Sequence, residues 1–71
     1  MQKKDAEELL EMMIELLLLY IDELFACKGE GDEAFQYGER TAFTECLEWI
    51  QLWRYAEVNG LDFNIEEKYP L

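Results

Sequence analysis

Carboxylates are the side chains of this chain best suited to chemistry. Glu8, Glu11 and Glu15 recur every three or four residues, which places them on one face of a helix. Such clusters can bind metal ions or transfer protons, but the dinuclear metal sites of helical bundles also use Glu-x-x-His motifs. Because the chain has no histidine, we interpret the cluster as a solvated face. We predict no catalytic residue, no metal site and no cofactor.

A further carboxylate, Glu39, falls among the apolar positions of the second predicted helix. Burial of an unpaired charge is very unfavourable, so this side chain must be paired or lie at the edge of an interface. We expect Glu39 to lie at the rim of an interface or to pair with Arg40 or Lys28 of a neighbouring chain, so that Glu39 and Arg40 form a candidate polar pair at the interface. The alternative is a specificity device in which Glu39 fixes register or binds a cationic partner. Gly38 beside it indicates a close helix crossing, because glycine inside a helix costs about 1 kcal/mol.

The sulfur and aromatic side chains give no sign of a ligand site. Cys27 and Cys46 do not form a CxxC motif, and zinc sites usually need such motifs or histidine. In a hairpin the two thiols would lie ~20 Å apart along the axis, too far for an intrachain disulfide. We expect Cys46 to be a small buried residue and Cys27 to lie near the loop. Trp49 and Trp53, one turn apart, are predicted to belong to a core or interface.

The charge balance restricts the partners. Six basic and seventeen acidic residues give a formal net charge of −11, which disfavours binding to nucleic acid or to anionic membranes. Lys3 and Lys4 before an apolar stretch that ends at Cys27 resemble a lipoprotein signal. The acidic residues within that stretch argue against both a signal and a membrane span, and we expect a cytoplasmic protein.

The elements that position these residues are two helices. The sequence predicts one all-α domain over 1–71: a helix over 5–28, a turn over 29–32, a helix over 33–59 and a tail over 60–71. Gly29 and Gly60 mark the helix ends. The short link makes the helices antiparallel. In the tail, Asn64 and Glu67 fit a capping box before one helical turn over 65–68, and we expect the tail to cover one end of the bundle.

The second helix carries a narrow predicted apolar stripe. Its members are Phe35, Ala42, Phe43, Cys46, Leu47, Trp49, Ile50 and Trp53, whereas Thr41, Thr44, Glu45, Glu48, Gln51 and Tyr55 are predicted to face water. Arg40 would lie at the margin of the stripe with its head in solvent. On the first helix, Leu18 is predicted to lie among the polar positions, exposed to water.

The first helix is too apolar for one partner helix to cover. Between Leu9 and Phe25 only four residues are polar, and its apolar arc is far wider than the ~100° stripe of a surface helix. We therefore predict that the hairpin dimerises into a four-helix bundle, and that Leu17→Asp breaks the dimer. The predicted interface residues are Leu10, Met13, Leu17, Tyr20, Ile21, Leu24, Phe35, Phe43, Trp49, Ile50 and Trp53.

The expected function is that of a small, acidic, self-associating interaction or regulatory protein without enzymatic activity. One alternative is a phage-type acidic mimic of nucleic acid that inhibits a DNA-binding protein. The other is a subunit of an obligate heteromeric helical complex, since such a subunit needs the same wide apolar arc as a homodimer.

Overall fold

A computed structural model describes residues 3–71, and within this range the chain is all-helical. Helix α1 spans Ala6–Ala26, α2 spans Glu33–Ile50, a single 3₁₀ turn spans Glu57–Asn59 and the short helix α3 spans Ile65–Lys68. Each of the three α-helices begins at a side chain that accepts a backbone N–H three residues ahead, which satisfies one of the free N–H groups of the first turn. These caps are Asp5, Asp32 and Asn64.

The predicted hairpin is present. Between the two long helices, Gly29 and Gly31 adopt positive φ angles of 93° and 72°, which glycine reaches without steric strain. Tyr20 contacts Phe43, and further towards the turn Phe25 lies next to Arg40. Because residues later in α1 meet residues earlier in α2, the two helices are antiparallel.

Helix α2 is shorter than the sequence predicts. It ends at Ile50, whereas the sequence pattern continues to Asn59. The side chain of Gln51 donates hydrogen bonds to the carbonyl oxygens of Leu61 (3.2 Å) and Phe63 (2.8 Å). The chain can make these bonds only if it folds back directly after α2, so tertiary contacts override a helix-compatible sequence.

The fold-back is completed at Gly60, where the sequence predicts the end of the helix. Gly60 is left-handed with φ 106° and terminates the 3₁₀ turn rather than a long helix. Its N–H donates to Glu57 O, and the N–H of Leu61 donates to Ala56 O. This is the hydrogen-bond pattern of a Schellman motif. Leu61 is fully buried as a result.

The core lies between the helix pair and the C-terminal segment 51–71. It is formed by Ile14 and Ile21 of α1, Leu47 and Ile50 of α2, and Ala56, Leu61, Ile65 and Tyr69. At its far end the Tyr69 hydroxyl donates to Asp22 Oδ1 over 2.7 Å. The predicted turn over 65–68 is confirmed, with Asn64 Oδ1 accepting the Glu67 N–H. The tail runs along one side of the helix pair instead of capping one end.

The orientation of α2 corrects several predictions. Thr44 is buried and Gln51 is half-buried, although both are predicted to face water, whereas Ala42, Cys46 and Trp49 are exposed. The reason is that the C-terminal segment covers the Thr44 side of α2. The prediction that Cys46 is buried is therefore wrong.

Two further side chains lie deeper than predicted. Arg40 is only 1% exposed instead of lying wet at the margin. Leu18 of α1, predicted to face water, is half-buried and packs against the core.

Candidate interaction surface

The helix pair has a second apolar side that nothing in residues 3–71 covers. We call this side the open face. On α1 it consists of Leu9, Met12, Met13, Leu16, Leu19 and Tyr20, and on α2 of Phe35, Gly38, Ala42, Cys46 and Trp49, all exposed. Within each helix these residues recur every three or four positions, so each set forms one stripe.

The two stripes point to the same side of the molecule. The rings of Tyr20 and Phe43 meet at the junction of the helices, with centroids 6.0 Å apart. On the opposite side the C-terminal segment contacts both helices, through Tyr69 against Phe25 of α1 and through α3 against α2. The helix pair is therefore a single layer, covered on one side and bare on the other, and the Cα envelope is only 16 Å in its shortest dimension.

The exposed area of the chain agrees with an uncovered layer. Its accessible surface is 5321 Å², whereas a folded monomer of 8.5 kDa typically exposes about 4,700 Å². The chain thus exposes roughly 600 Å² more than a typical monomer of its mass.

Within one chain, Glu39 and Arg40 do not pair with each other, and a pair across an interface between chains stays a prediction. Arg40 Nη2 instead donates to Glu33 Oε1 over 2.6 Å, and its guanidinium lies near the rings of Phe25 and Tyr37. The hydrogen bond from Arg40 lowers the pKa of the Glu33 carboxyl. The two residues point apart because Arg40 lies on the side of α2 that packs inward, while Glu39 lies half-buried near the open face.

The predicted interface residues divide into three groups. Met13, Tyr20, Phe35 and Trp49 are exposed on the open face. Leu10, Leu17, Leu24, Phe43 and Trp53 are half-buried. Ile21 and Ile50 are buried in the core of the chain itself.

The sequence pattern did not separate these groups, because the inner and the outer stripe of α1 are adjacent and equally apolar. The predicted interface residues also leave out several members of the open face, among them Leu16, Leu19 and Ala42. Their signal was their spacing from Met12 and Phe35, which continues one stripe along each helix.

The carboxylate cluster of α1 lies on the surface of the described structure. Glu8, Glu11 and Glu15 are exposed, and the only ion pair of this group in residues 3–71 is a loose one between Glu8 and Lys4, at 3.9 Å. The described residues contain no group of three potential metal ligands. A cleft between α2 and the C-terminal segment is lined by hydroxyls and carboxylates, among them Thr44, Glu45 and Glu66, and by the apolar surfaces of Pro70 and Leu71.

Comparisons with known proteins add no further constraint. No family model, curated protein or solved structure matches this chain. In residues 3–71, no helix combines the length and the apolar character needed to cross a bilayer.

Proposed function

We propose that this chain is a small acidic interaction protein that works as a homodimer joined through the open face. The observation that carries the proposal is the pair of exposed apolar stripes on one side of the helix layer. Exposed apolar patches of this extent, bordered by polar residues, mark interaction sites in soluble proteins. A second copy supplies a surface of the same size and character, as a two-fold symmetric interface requires.

The distribution of charge supports the same proposal. The chain carries a net charge of −11, whereas the centre of the open face is apolar and Glu23, Glu39 and Glu45 lie along its margins. Depletion of charged residues is typical of the core of protein interfaces. The acidic residues on other surfaces then keep the assembled protein soluble and disfavour nonspecific contacts.

The proposal is tested by measuring molecular mass across protein concentration. We expect sedimentation analysis to show a reversible dimer for the wild type. Leu16→Asp places a charge in the middle of the open face and is expected to weaken dimerisation at least 100-fold. Leu16 is preferred to Leu17 because Leu17 packs against the core, so Leu17→Asp would also disturb the fold.

The matched control is Val58→Asp. Val58 is 82% exposed but lies in the 3₁₀ turn of the C-terminal segment, away from the open face. This variant should dimerise as the wild type does. A wild type that stays monomeric at all concentrations would contradict the proposal, and so would equal dissociation of the Leu16 and Val58 variants.

The salt dependence separates this proposal from a mimic of nucleic acid. Two chains of charge −11 repel each other, and salt screens that repulsion, so dimerisation should strengthen as salt is raised from 50 to 500 mM. Binding to a basic DNA-binding protein would instead weaken with salt. Dimerisation that weakens with salt would contradict an apolar interface.

A further inference from the structure

We infer that the homodimer forms by an antiparallel crossing of two α2 helices, centred on Ala42. The inference rests on the proposed function, because it specifies the contact by which the open faces pair. Its evidence lies in the α2 half of the open face.

The exposed stripe of α2 is symmetric about Ala42. Gly38 precedes Ala42 by four residues and Cys46 follows it by four, while Phe35 and Trp49 lie seven residues to either side. An antiparallel crossing at Ala42 therefore sets Gly38 against the partner's Cys46, and Phe35 against the partner's Trp49. A two-fold interface has to be self-complementary in this way.

Gly38 gives an independent indication of a close neighbour. It lies inside α2, does not have positive φ, and a Cβ added to it would meet nothing within 4 Å in the described chain. Neither backbone conformation nor packing within the chain thus explains a glycine that costs about 1 kcal/mol of helix stability. A second backbone crossing at this point explains it, because small residues allow two helices to approach closely.

The two aromatic residues complete the contact. Phe35 is 67% exposed and Trp49 is 74% exposed, although large aromatic side chains usually bury much of their surface. In the crossing each ring covers its counterpart, and the pair brackets the small residues between them. The α1 stripe lies on the same side and extends the interface beyond the crossing, towards the area that a stable dimer buries.

The crossing is tested by disulfide trapping in a background of Cys27→Ala and Cys46→Ala. In that background Ala42→Cys should form a symmetric interchain disulfide under mild oxidation, because disulfides need Cα atoms within about 7 Å. The matched control is Leu16→Cys in the same background, which lies on the open face but in α1. It should link much more slowly, and faster or equal linking there would place the two-fold axis on α1 and overturn the inference.

The direction of the crossing is tested separately. With Cys27→Ala alone, the two copies of Cys46 lie eight residues apart along the axis, about 12 Å, and should not link. Adding Gly38→Cys should produce a disulfide between position 38 and the partner's Cys46, identified by peptide mass spectrometry. Rapid linking of Cys46 to itself would indicate a parallel pairing and overturn the inference.

Failure of the inference and failure of the proposed function give different results. A wild type that is a dimer by sedimentation but does not link at position 42 overturns the crossing and leaves the homodimer intact. A monomeric wild type overturns both. Gly38→Ala should change two quantities in opposite directions. It should raise the thermal stability of the monomer, because alanine favours the helix more than glycine, and it should weaken dimerisation at least 10-fold.

Discussion

The two sides of the helix pair differ in what covers them, not in how apolar they are. On the covered side, Ile14, Ile21 and Leu47 are shielded by the C-terminal segment. On the open side, Leu16, Trp49 and their neighbours form stripes of similar character that nothing in residues 3–71 covers. Burial in this fold therefore depends on the path of the tail.

The two sides of α2 also differ in their polar residues. The covered side of α2 contains Arg40 and Thr44, and Gln51 follows the helix directly. Arg40 donates from Nη2 to Glu33, while its Nε and Nη1 are buried without a partner in the described residues. Thr44 donates to the carbonyl of Thr41 and Gln51 donates to the tail carbonyls. Polar groups are tolerated inside when they are paired in this way. The open side of α2 has no such residues at its centre. The apolar surface of the open face is thus available to a partner, while the polar residues on the covered side lie beneath or bind the C-terminal segment.

The largest contrast is expected between leucines on opposite sides. Leu47→Ala should lower the free energy of unfolding by about 3 kcal/mol, because a fully buried leucine leaves a cavity. Leu16→Ala should change it by less than ~0.5 kcal/mol in dilute, monomeric protein, because Leu16 is already exposed. Urea unfolding followed by circular dichroism measures both. Equal losses would show that the open face stabilises the monomer.

A smaller effect is expected when the hydrogen bonds that hold the C-terminal segment in its fold-back are removed. Gln51→Ala should lower the free energy of unfolding by about 2 kcal/mol, because it leaves the carbonyls of Leu61 and Phe63 without their side-chain donor. Amide exchange should accelerate mainly in residues 61–71. Gln36→Ala is the control, because Gln36 bonds only to the carbonyl of Glu30 in the exposed turn. Similar losses for both variants would contradict a special role of Gln51.

The smallest effect on the free energy of unfolding is expected at Tyr69, near the end of the C-terminal segment. Tyr69→Phe removes the hydrogen bond to Asp22 and should lower the free energy of unfolding by about 1 kcal/mol at neutral pH. Burial, together with that hydrogen bond, raises the pKa of the Tyr69 hydroxyl above its ordinary value of 10.0. A raised pKa favours the folded state below the unfolded value, and this contribution disappears as pH rises through the folded value.

The difference between wild type and Tyr69→Phe should therefore be constant up to about pH 10 and decrease above it. Urea unfolding of both proteins between pH 7 and pH 11 measures this. A difference that grows above pH 10 would contradict the structural account of Tyr69.

Local sequence signals predicted the parts of the fold that depend on local structure. Asp32 and Asn64 cap helices as expected, and Gly60 terminates its turn. Helix α1 ends at Ala26, two residues before its predicted boundary, and Gly29 adopts its positive φ in the turn that follows. The end of α2 at Ile50 was not predictable in this way. Residues 51–59 contain neither glycine nor proline, and the chain turns there because Gln51 binds carbonyls ten and twelve residues ahead.

The side of α2 that packs against the core could not be predicted from its apolar pattern, for a related reason. An apolar stripe indicates a surface that avoids water, but it does not say which molecule covers that surface. Cys46 and Trp49 belong to the predicted stripe and are exposed, whereas Thr44 lies opposite and is buried. The decisive information was the position of the tail, whose Leu61 and Tyr69 are buried in the core.

The early end of α2 has a consequence for the size of any assembly. If the helix continued to Asn59, the chain could not fold back over the core side, and both sides of the helix layer would be bare. Molecules with two self-associating apolar surfaces can stack without limit into filaments. Molecules with only one such surface form a closed pair. By turning back at Gln51, the chain covers one of the two apolar sides of the helix layer, and under the proposed homodimer this limits assembly to a closed pair.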